Sequence, residues 1–523
     1  MSKIELYDTT LRDGAQSEGI SFSVSDKLKI SEKLDELGVH FIEGGWPGAN
    51  PKDIEFFRKA GKLKFKKSKL VAFGSTRHAN AKAKADKVMK GLLSADTKYI
   101  TIFGKSWDLH VRDVFKVDLE ENLRMIEDSI KFLKANGKVV FYDAEHFFDG
   151  YKANKNYAIK TLRVAQDSGA DRIILCDTNG GTITSQVFEM VEDVKEVIKT
   201  PLGIHAHNDC DMAVANSIAA VQAGCVQVHG TVNGYGERCG NANLVSIIAN
   251  LKLKLGVDCI SDLELRELTE IARFIAEICN VKMNDNEPFV GASAFAHKAG
   301  VHVNAILKNP GTYEHTDPHA IGNHRRLLIS ELSGRSTILK KAEDMDLDLG
   351  KGGDKTKKIL NILQDLESKG YHFESAEASL ELLIKRVMKK FKDFFDFEKF
   401  RVVIEQKRNG RMATEATIRL KVGREIEETS SPGDGPVNAL DSALRKALRK
   451  FYPNLNEMHL TDYKVRVLDE KEGTAARVRV LIQSQDKTGS WWTMGVSENI
   501  IEASWQALVD SVEYKLLKDS EAS

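Results

Sequence analysis

The chain carries no excess charge of either sign. Lys plus Arg and Asp plus Glu each number 76 in 523 residues, which argues against a bulk electrostatic grip on nucleic acid or on an anionic membrane surface. Long hydrophobic runs are also missing: no stretch is apolar over the roughly 18 residues that a membrane-spanning helix needs. The opening MSKIELYDTT has no secretory apolar core, so the expected location is cytoplasmic. Cysteine is scarce. The six residues at 176, 210, 225, 239, 259 and 279 form no CxxC pair, as expected of reduced thiols rather than of a disulfide framework. What is present is apolar residue, 42% of the chain, over a length that calls for two or three domains.

Over the first 255 residues one pattern recurs. A short run rich in Val, Ile, Phe and Tyr precedes a helix-length amphipathic segment. The runs lie at 4–10, 41–46, 69–75, 99–105, 139–145, 172–178, 202–209 and 226–232. After the first, SVSDKLKISEKLDELG places Leu28, Leu34 and Leu37 on one helical face, and Ser23 with Asp26 has the spacing of a capping box. Gly38, Gly137 and Gly169 stand where helices should stop. Continuous apolar strands alternating with helices predict a parallel sheet. Eight such units in about 250 residues match a (β/α)8 TIM barrel, with an open doubly wound sheet as the alternative.

Beyond the barrel the pattern changes. Residues 256–280 read as helical, and 285–325 hold five histidines with little periodicity. Helices are predicted near 330–345, 354–368 and 375–391, with the glycine-rich LGKGGDKTK at 349–357 between the first two. From about 398 the strands lengthen and a strand–strand–turn–helix unit occurs twice, with GPVNALDSAL aligning on GVSENIIEASWQAL. The expected division is a catalytic barrel at 1–280, linker subdomains at 281–395 and a small α+β regulatory domain at 396–523.

Sites in (β/α)8 barrels gather at the C-terminal ends of the strands. There the sequence puts Arg12 and Asp13 after strand one, Glu43 on strand two, Glu145 and Thr178 at the ends of strands five and six, and His205 and His207 on strand seven. Glu237, Arg238 and Asn241 follow strand eight. Strand residues two apart share a face, so both imidazoles face one point, as metal ligands must. The plainer reading is a pair of hydrogen-bonded core histidines. An oxygen ligand must come from another strand, and Asp13 is best placed. Two imidazoles and an oxygen donor suit a divalent ion with open positions, non-haem iron included. Arg12 then lies against whatever the ion holds and can stabilise a developing oxyanion. A structural salt bridge with Glu43 is compatible with that role. Glu145 reads as a general base or as a holder of a metal-bound water. Thr178 reads as a carboxylate-binding hydroxyl or as a strand cap.

DTTLRDGAQ, HAHND and GYGERCGN together resemble the acyl-CoA-condensing branch of the metal-dependent Asp-Arg-Glu barrel superfamily, which includes the 2-isopropylmalate, homocitrate and citramalate synthases. AFAHKAGVHVNAI (294–306) resembles the linker subdomain of that family, and the terminal repeat its effector-binding domain. Within the branch, IEGGWPGANPKD (42–53) and DGAQSEGISFSVSDK (13–27) are similar to the bacterial citramalate synthase group. The resemblance implies a Claisen-type condensation of acetyl-CoA with pyruvate and water, giving (R)-citramalate and CoA on the way to isoleucine. It implies Asp13, His205, His207 and Asn241 as ligands of a divalent metal (Mn, Mg or Zn), although the residues alone would have favoured Glu237 over Asn241. Arg12 matches the residue that polarises the keto oxygen, and Glu145 and Thr178 match substrate-site residues. Gln16 matches a position of the first motif. His297 and Tyr313 match residues that a linker places at the barrel mouth of its partner subunit, with His302 a nearby competitor, so a homodimer is implied.

The chain departs from the isopropylmalate synthase pattern at FGSTRHA (73–79), FGKSWDLHV (103–111) and DAEHFFDGY (143–151). We expect Phe73, Phe103 and Tyr142 to fill the space a branched keto acid would need. The terminal domain is expected to bind isoleucine, with the turns at Gly433–Gly435 and Gly495 offering backbone N–H groups to its carboxylate. The competing readings are isopropylmalate or homocitrate synthesis, an aldolase or acyl-CoA lyase on the same barrel, and a non-catalytic sensor.

Overall fold

The computed structural model describes residues 4–47, 50–328, 354–373, 376–406, 408, 410–468 and 476–522. The helix expected near 330–345 lies outside these residues, as does the glycine-rich stretch up to residue 353. The chain forms two compact units, one of residues 1–295 with 315–325, the other of residues 296–314 with 326–523.

In the first unit eight parallel strands close into a barrel in sequence order. They are β1 (Glu5–Asp8), β2 (Phe41–Gly45), β3 (Lys69–Ser75), β4 (Tyr99–Lys105), β5 (Val139–Glu145), β6 (Arg172–Asp177), β7 (Leu202–Ala206) and β8 (Gln227–Gly230). Helices α1 (Val24–Leu37), α2 (Pro51–Ala60), α3 (Lys87–Ser94), α4 (Leu119–Ala135), α5 (Phe147–Asp167), α6 (Thr184–Val197), α7 (Ala213–Ala223) and α8 (Leu244–Leu253) return the chain between strands. The start of α1 shows why these segments are helical where they are. Ser23 accepts from the Asp26 N–H and Asp26 accepts from the Ser23 N–H, so two N–H groups with no partner inside the helix are satisfied. Gly38 ends the helix at φ 83°, a left-handed conformation that costs glycine nothing.

Strand parity sorts the barrel's side chains. One set points out against the helices and joins an extensive apolar core that includes Leu6, Ile42, Ile100, Ile102, Tyr142 and Phe148. The other points into the barrel. Tyr7, Phe41, Val71 and Phe141 pack there, and Tyr7 stacks on His229 at 3.9 Å. This aromatic layer fills the lower interior and leaves the C-terminal mouth as the open end. The expected segment 256–280 becomes α9 (Asp262–Leu265) and α10 (Leu268–Ile278).

The second unit holds β9 (Ala296–His297) paired parallel with β10 (Arg326–Leu327), and α11 (Gly300–Lys308). Helices α12 (Asp354–Ser368) and α13 (Glu377–Val387) pack through Ile359, Leu363, Phe373, Leu380 and Ile384. The repeat follows, with one more strand per copy than expected. The first copy is β11 (Asp396–Gln406), β12 (Met412–Val422), β13 (Glu425–Gly433) and α14 (Pro436–Leu448). The second is β14 (His459–Val467), β15 (Val478–Asp486), β16 (Gly489–Ser497) and α15 (Ile500–Ala522). Each copy is an antiparallel meander. Inward residues of the central strands, Ile418 and Ile482 among them, share one core with Leu444 and Leu508 of the helices.

Candidate active site

After β1 the chain turns sharply. The Thr9 carbonyl accepts the N–H groups of Arg12, Asp13 and Gly14 at 3.1, 2.8 and 3.1 Å, while Asp8 accepts from the Thr10 N–H and hydroxyl. The turn throws Arg12 and Asp13 together over the barrel mouth. Arg12 Nε donates to Glu43 Oε1 at 2.6 Å, and Arg12 Nη1 lies 3.3 Å from Asp13 Oδ2. The guanidinium carbon sits 3.8 Å above the Phe73 ring. Glu43 is fully buried, and its second oxygen accepts the Tyr7 hydroxyl at 2.6 Å. Burial alone would destabilise the Arg12 charge, but Glu43 and then Asp13 outweigh it and hold the guanidinium charged. Burial would likewise raise Asp13. Arg12, followed by His205, reverses that and holds its carboxyl well below the usual range.

His205 Nε2 and His207 Nε2 approach to 3.2 Å, and His205 Nε2 lies 3.4 Å from Asp13 Oδ2. β7 ends at Ala206, but His207 stays extended because its N–H donates to the Asp177 carbonyl at 3.2 Å, so the two imidazoles keep the same face. Asp13, His205 and His207 thus offer ligand atoms within 4.8 Å of one another, all three residues buried. Burial, then His205, pushes His207 down to about 3, so its ring is neutral at ordinary pH. Asn241 is bridged to His207. Its amide N–H2 donates to the Tyr235 carbonyl at 3.2 Å, whereas its buried Oδ1 has no hydrogen-bond partner among the described residues. Two imidazole nitrogens converging on a carboxylate, beside an orphaned amide oxygen, form a donor set that fits a divalent cation.

Arg12, Asp13, His205 and His207 line a cavity of about 230 Å³ to which Gln16, Phe73, Phe103, Glu145 and Thr178 also contribute. Glu145 is ion-paired with Lys105 of β4. Thr178 Oγ1 accepts the His146 N–H at 2.8 Å, which leaves its own proton for a ligand. Phe73 and Phe103 stack at 5.6 Å. At the rim Arg238 grips Asp209 at 2.7 and 3.0 Å and donates to the Thr178 carbonyl at 2.8 Å, tying the loops after β6, β7 and β8 together.

The structure does not bring every expected residue here. Tyr142 is an odd number of residues from Glu145, so it points out of the barrel, where it packs beside Gly104 and Ile126. It cannot shape the cavity, and the space-filling role expected for it is withdrawn. Glu43 reaches the site only through Arg12. His297 and Tyr313 belong to the second unit, where His297 Nε2 lies 3.2 Å from Glu314 Oε1 and Tyr313 stacks on His302 at 4.1 Å. Three cavity residues escaped the sequence reading: Trp46, Asp143 and Cys176. Trp46 closes the second strand-like run and meets Phe73 and Phe103 edge-on. Asp143 and Cys176 lie two residues before Glu145 and Thr178, so strand parity was the available signal. In the terminal domain a Cβ on Gly433 would fall 2.4 Å from the Ala439 nitrogen, and one on Gly495 would fall 2.0 Å from the Ala503 carbonyl oxygen. Both glycines let a helix approach its sheet.

The chain matches the HMGL-like family over residues 3–275, the homocitrate synthase post-HMGL domain-like family over 289–370 and the LeuA allosteric (dimerisation) domain over 374–516. It is 56% identical to the (R)-citramalate synthase of Aquifex aeolicus over 521 residues, 99% of each chain. It is also 56% identical to the (R)-citramalate synthase of Geobacter sulfurreducens over 522 residues, 100% of this chain and 99% of the relative. A 2-isopropylmalate synthase of Methanocaldococcus jannaschii is 30% identical over 523 residues, 99% of this chain and 95% of the relative.

Proposed function

The chain belongs to the HMGL-like family and, within it, to the (R)-citramalate synthases, and on that premise we propose that it condenses acetyl-CoA with pyruvate and water to give (R)-citramalate and CoA. One observation carries the reading. Adjacent residues divide the work: Asp13 turns to the two histidines, while Arg12, clamped by Glu43, lies at the cavity wall. Asp13, His205, His207 and Asn241 would hold a divalent ion (Mg, Mn or Zn), which would supply a Lewis acid for the keto acid. Arg12 stabilises negative charge as it builds on the keto oxygen, and because Glu43 fixes the guanidinium in advance it need not reorganise. Thr178 donates its free hydroxyl proton to the acceptor's carboxylate, and Gln16 orients the same end. Glu145 takes a proton from the acetyl methyl or from the water that cleaves the thioester.

The remaining roles rest on the family resemblance. In a homodimer, His297 of the partner subunit and Tyr313 of the partner subunit complete the mouth, and the His297–Glu314 pair orients an imidazole that can pass a proton. Val403 and Ile404 on β11 and Val465 and Val467 on β14 are exposed apolar side chains. We retain 1–280, 281–395 and 396–523 as the catalytic, linker and regulatory parts, with isoleucine the effector of the last. No helix among the described residues is long and apolar enough to cross a membrane, which agrees with the proposed cytoplasmic location.

A keto-acid panel tests the reaction. Released CoA thiol is measured with pyruvate, 2-oxobutyrate and 2-oxoisovalerate. Pyruvate is expected to give the highest kcat/KM, with appreciable turnover of 2-oxobutyrate. A higher value for 2-oxoisovalerate would make the chain an isopropylmalate synthase instead.

A further inference from the structure

Tyr7 packs in the aromatic layer of the lower barrel with Phe41 and Phe141, a place that a phenylalanine would fill as well. The hydroxyl is what packing does not explain. Tyr7, Glu43 and Thr101 are all fully buried, and a hydroxyl taken out of water is costly unless it is bonded. This one is bonded twice. It donates to Glu43 Oε2 at 2.6 Å and lies 2.7 Å from Thr101 Oγ1. A carboxylate only accepts, so the single tyrosine proton goes to Glu43, and Thr101 donates to the tyrosine oxygen. Hydrogen bonds thus run from Thr101 on β4 through Tyr7 on β1 and Glu43 on β2 to Arg12 at the mouth.

Glu43 is held at both ends, because its Oε1 accepts Arg12 Nε at 2.6 Å while its Oε2 accepts Tyr7. The torsion that turns a glutamate carboxylate has a broad minimum. One bond alone would leave the carboxylate free to swing and to carry the guanidinium with it, and the second stops that swing. It comes from a ring that is itself fixed. His229 stacks on Tyr7 at 3.9 Å with the planes 7° apart, and Phe41 and Phe141 meet it at 6.0 and 6.3 Å. His229 is secured in turn by Gln227 at 3.0 Å.

We infer that Tyr7 is a positioning residue for the condensation: its hydroxyl, backed by Thr101, fixes the Glu43 carboxylate and through it the Arg12 guanidinium where the keto oxygen gains charge. The inference rests on the role of Arg12 proposed above. A donor fixed in advance acts as charge develops in the transition state, so loss of the hydroxyl should appear in kcat and not in binding of the acceptor.

The full-length protein with added Mn2+ is assayed for CoA release with whichever keto acid gives the wild type its highest kcat/KM, so a preferred acceptor other than pyruvate revises the proposed reaction without disturbing this test. Wild type, Tyr7→Phe, Arg12→Lys and the double variant are compared, with thermal melts to confirm folding and calorimetric titration of Mn2+ to confirm the metal site. Tyr7→Phe is expected to lower kcat about 10- to 100-fold, to change the KM for the keto acid by less than about threefold and to keep the wild-type affinity for Mn2+. Because both residues act through one guanidinium, the double variant is expected within about threefold of Arg12→Lys alone. Should Tyr7→Phe fail to fold, Thr101→Val, which removes only the donor behind the tyrosine, takes its place with an expected fall in kcat of about 3- to 10-fold. A kcat within about twofold of wild type overturns the inference. So does a double variant that multiplies the two single losses, since Tyr7 would then act independently of Arg12, and so does a parallel loss of Mn2+ affinity. Wild-type protein that releases no CoA with any keto acid overturns the proposed reaction, and this inference with it.

Discussion

Arg12 is held from three sides: Glu43 binds its Nε, Asp13 lies beside Nη1, and Phe73 covers its face. Such a clasp recognises a planar fork and not merely a positive charge. Arg12→Lys keeps the charge, but a single ammonium cannot both pair with Glu43 and meet the keto oxygen. The expected result is a fall in kcat of about 100- to 1000-fold, read as CoA release at saturating pyruvate and acetyl-CoA. Near-normal kcat would show that the fork is not needed. Residue identity made this much legible in the sequence, because an Arg-Asp pair and an HxH pair announce their chemistry. Orientation was less legible. Tyr142 has the size to fill a pocket, but strand parity turns it outward and puts Asp143, its neighbour, at the cavity.

At the scale of elements the sequence was most readable where local chemistry decides. The runs at 69–75, 99–105 and 139–145 are strands over those same residues, and the Ser23–Asp26 capping box forms. The leading strand of each terminal repeat was harder to read. β11 lies at a sheet edge, mostly exposed, so its side chains are not constrained to repeat those of β14. Three-dimensional approach was not readable at all. Gly433 and Gly495 invite a ligand-binding interpretation, yet each lets a helix cross its strand. The contrast with Gly435, which has open space around it and an extended φ of −166°, gives a direct test. In Gly495→Ala the new methyl meets a backbone carbonyl, which cannot swing aside as a side chain can. That variant is expected to lose about 1–3 kcal/mol of stability in urea unfolding, while Gly435→Ala, which meets no clash but replaces the N-cap glycine of α14, costs less, at most about 1 kcal/mol. Equal effects would mean that the helix contact does not limit the fold.

Taken as a whole molecule, the chain has separate cores. The barrel's apolar cluster and that of the terminal repeat share no residue, so calorimetry of the full-length protein is expected to resolve two transitions. The proposed ligands act on different ones. A divalent ion at Asp13, His205 and His207 binds only the folded barrel, because the unfolded chain does not hold those atoms within 4.8 Å. An ion at about 100 times its Kd contributes roughly 2.7 kcal/mol, which for a unit of this size is about 4 °C. Chelation should therefore lower one transition by that amount and leave the other in place. Asp13→Ala should abolish the response, which assigns the shifted transition to the barrel. Isoleucine should raise the other transition by mass action alone. A chelator that moves neither transition would remove the metal from the site. Isoleucine that moves neither, and does not alter the rate of CoA release, would leave the repeat a structural domain. A shift of both transitions by either ligand would instead mean that the two cores are coupled, the condition under which an end product bound to the repeat can govern the barrel.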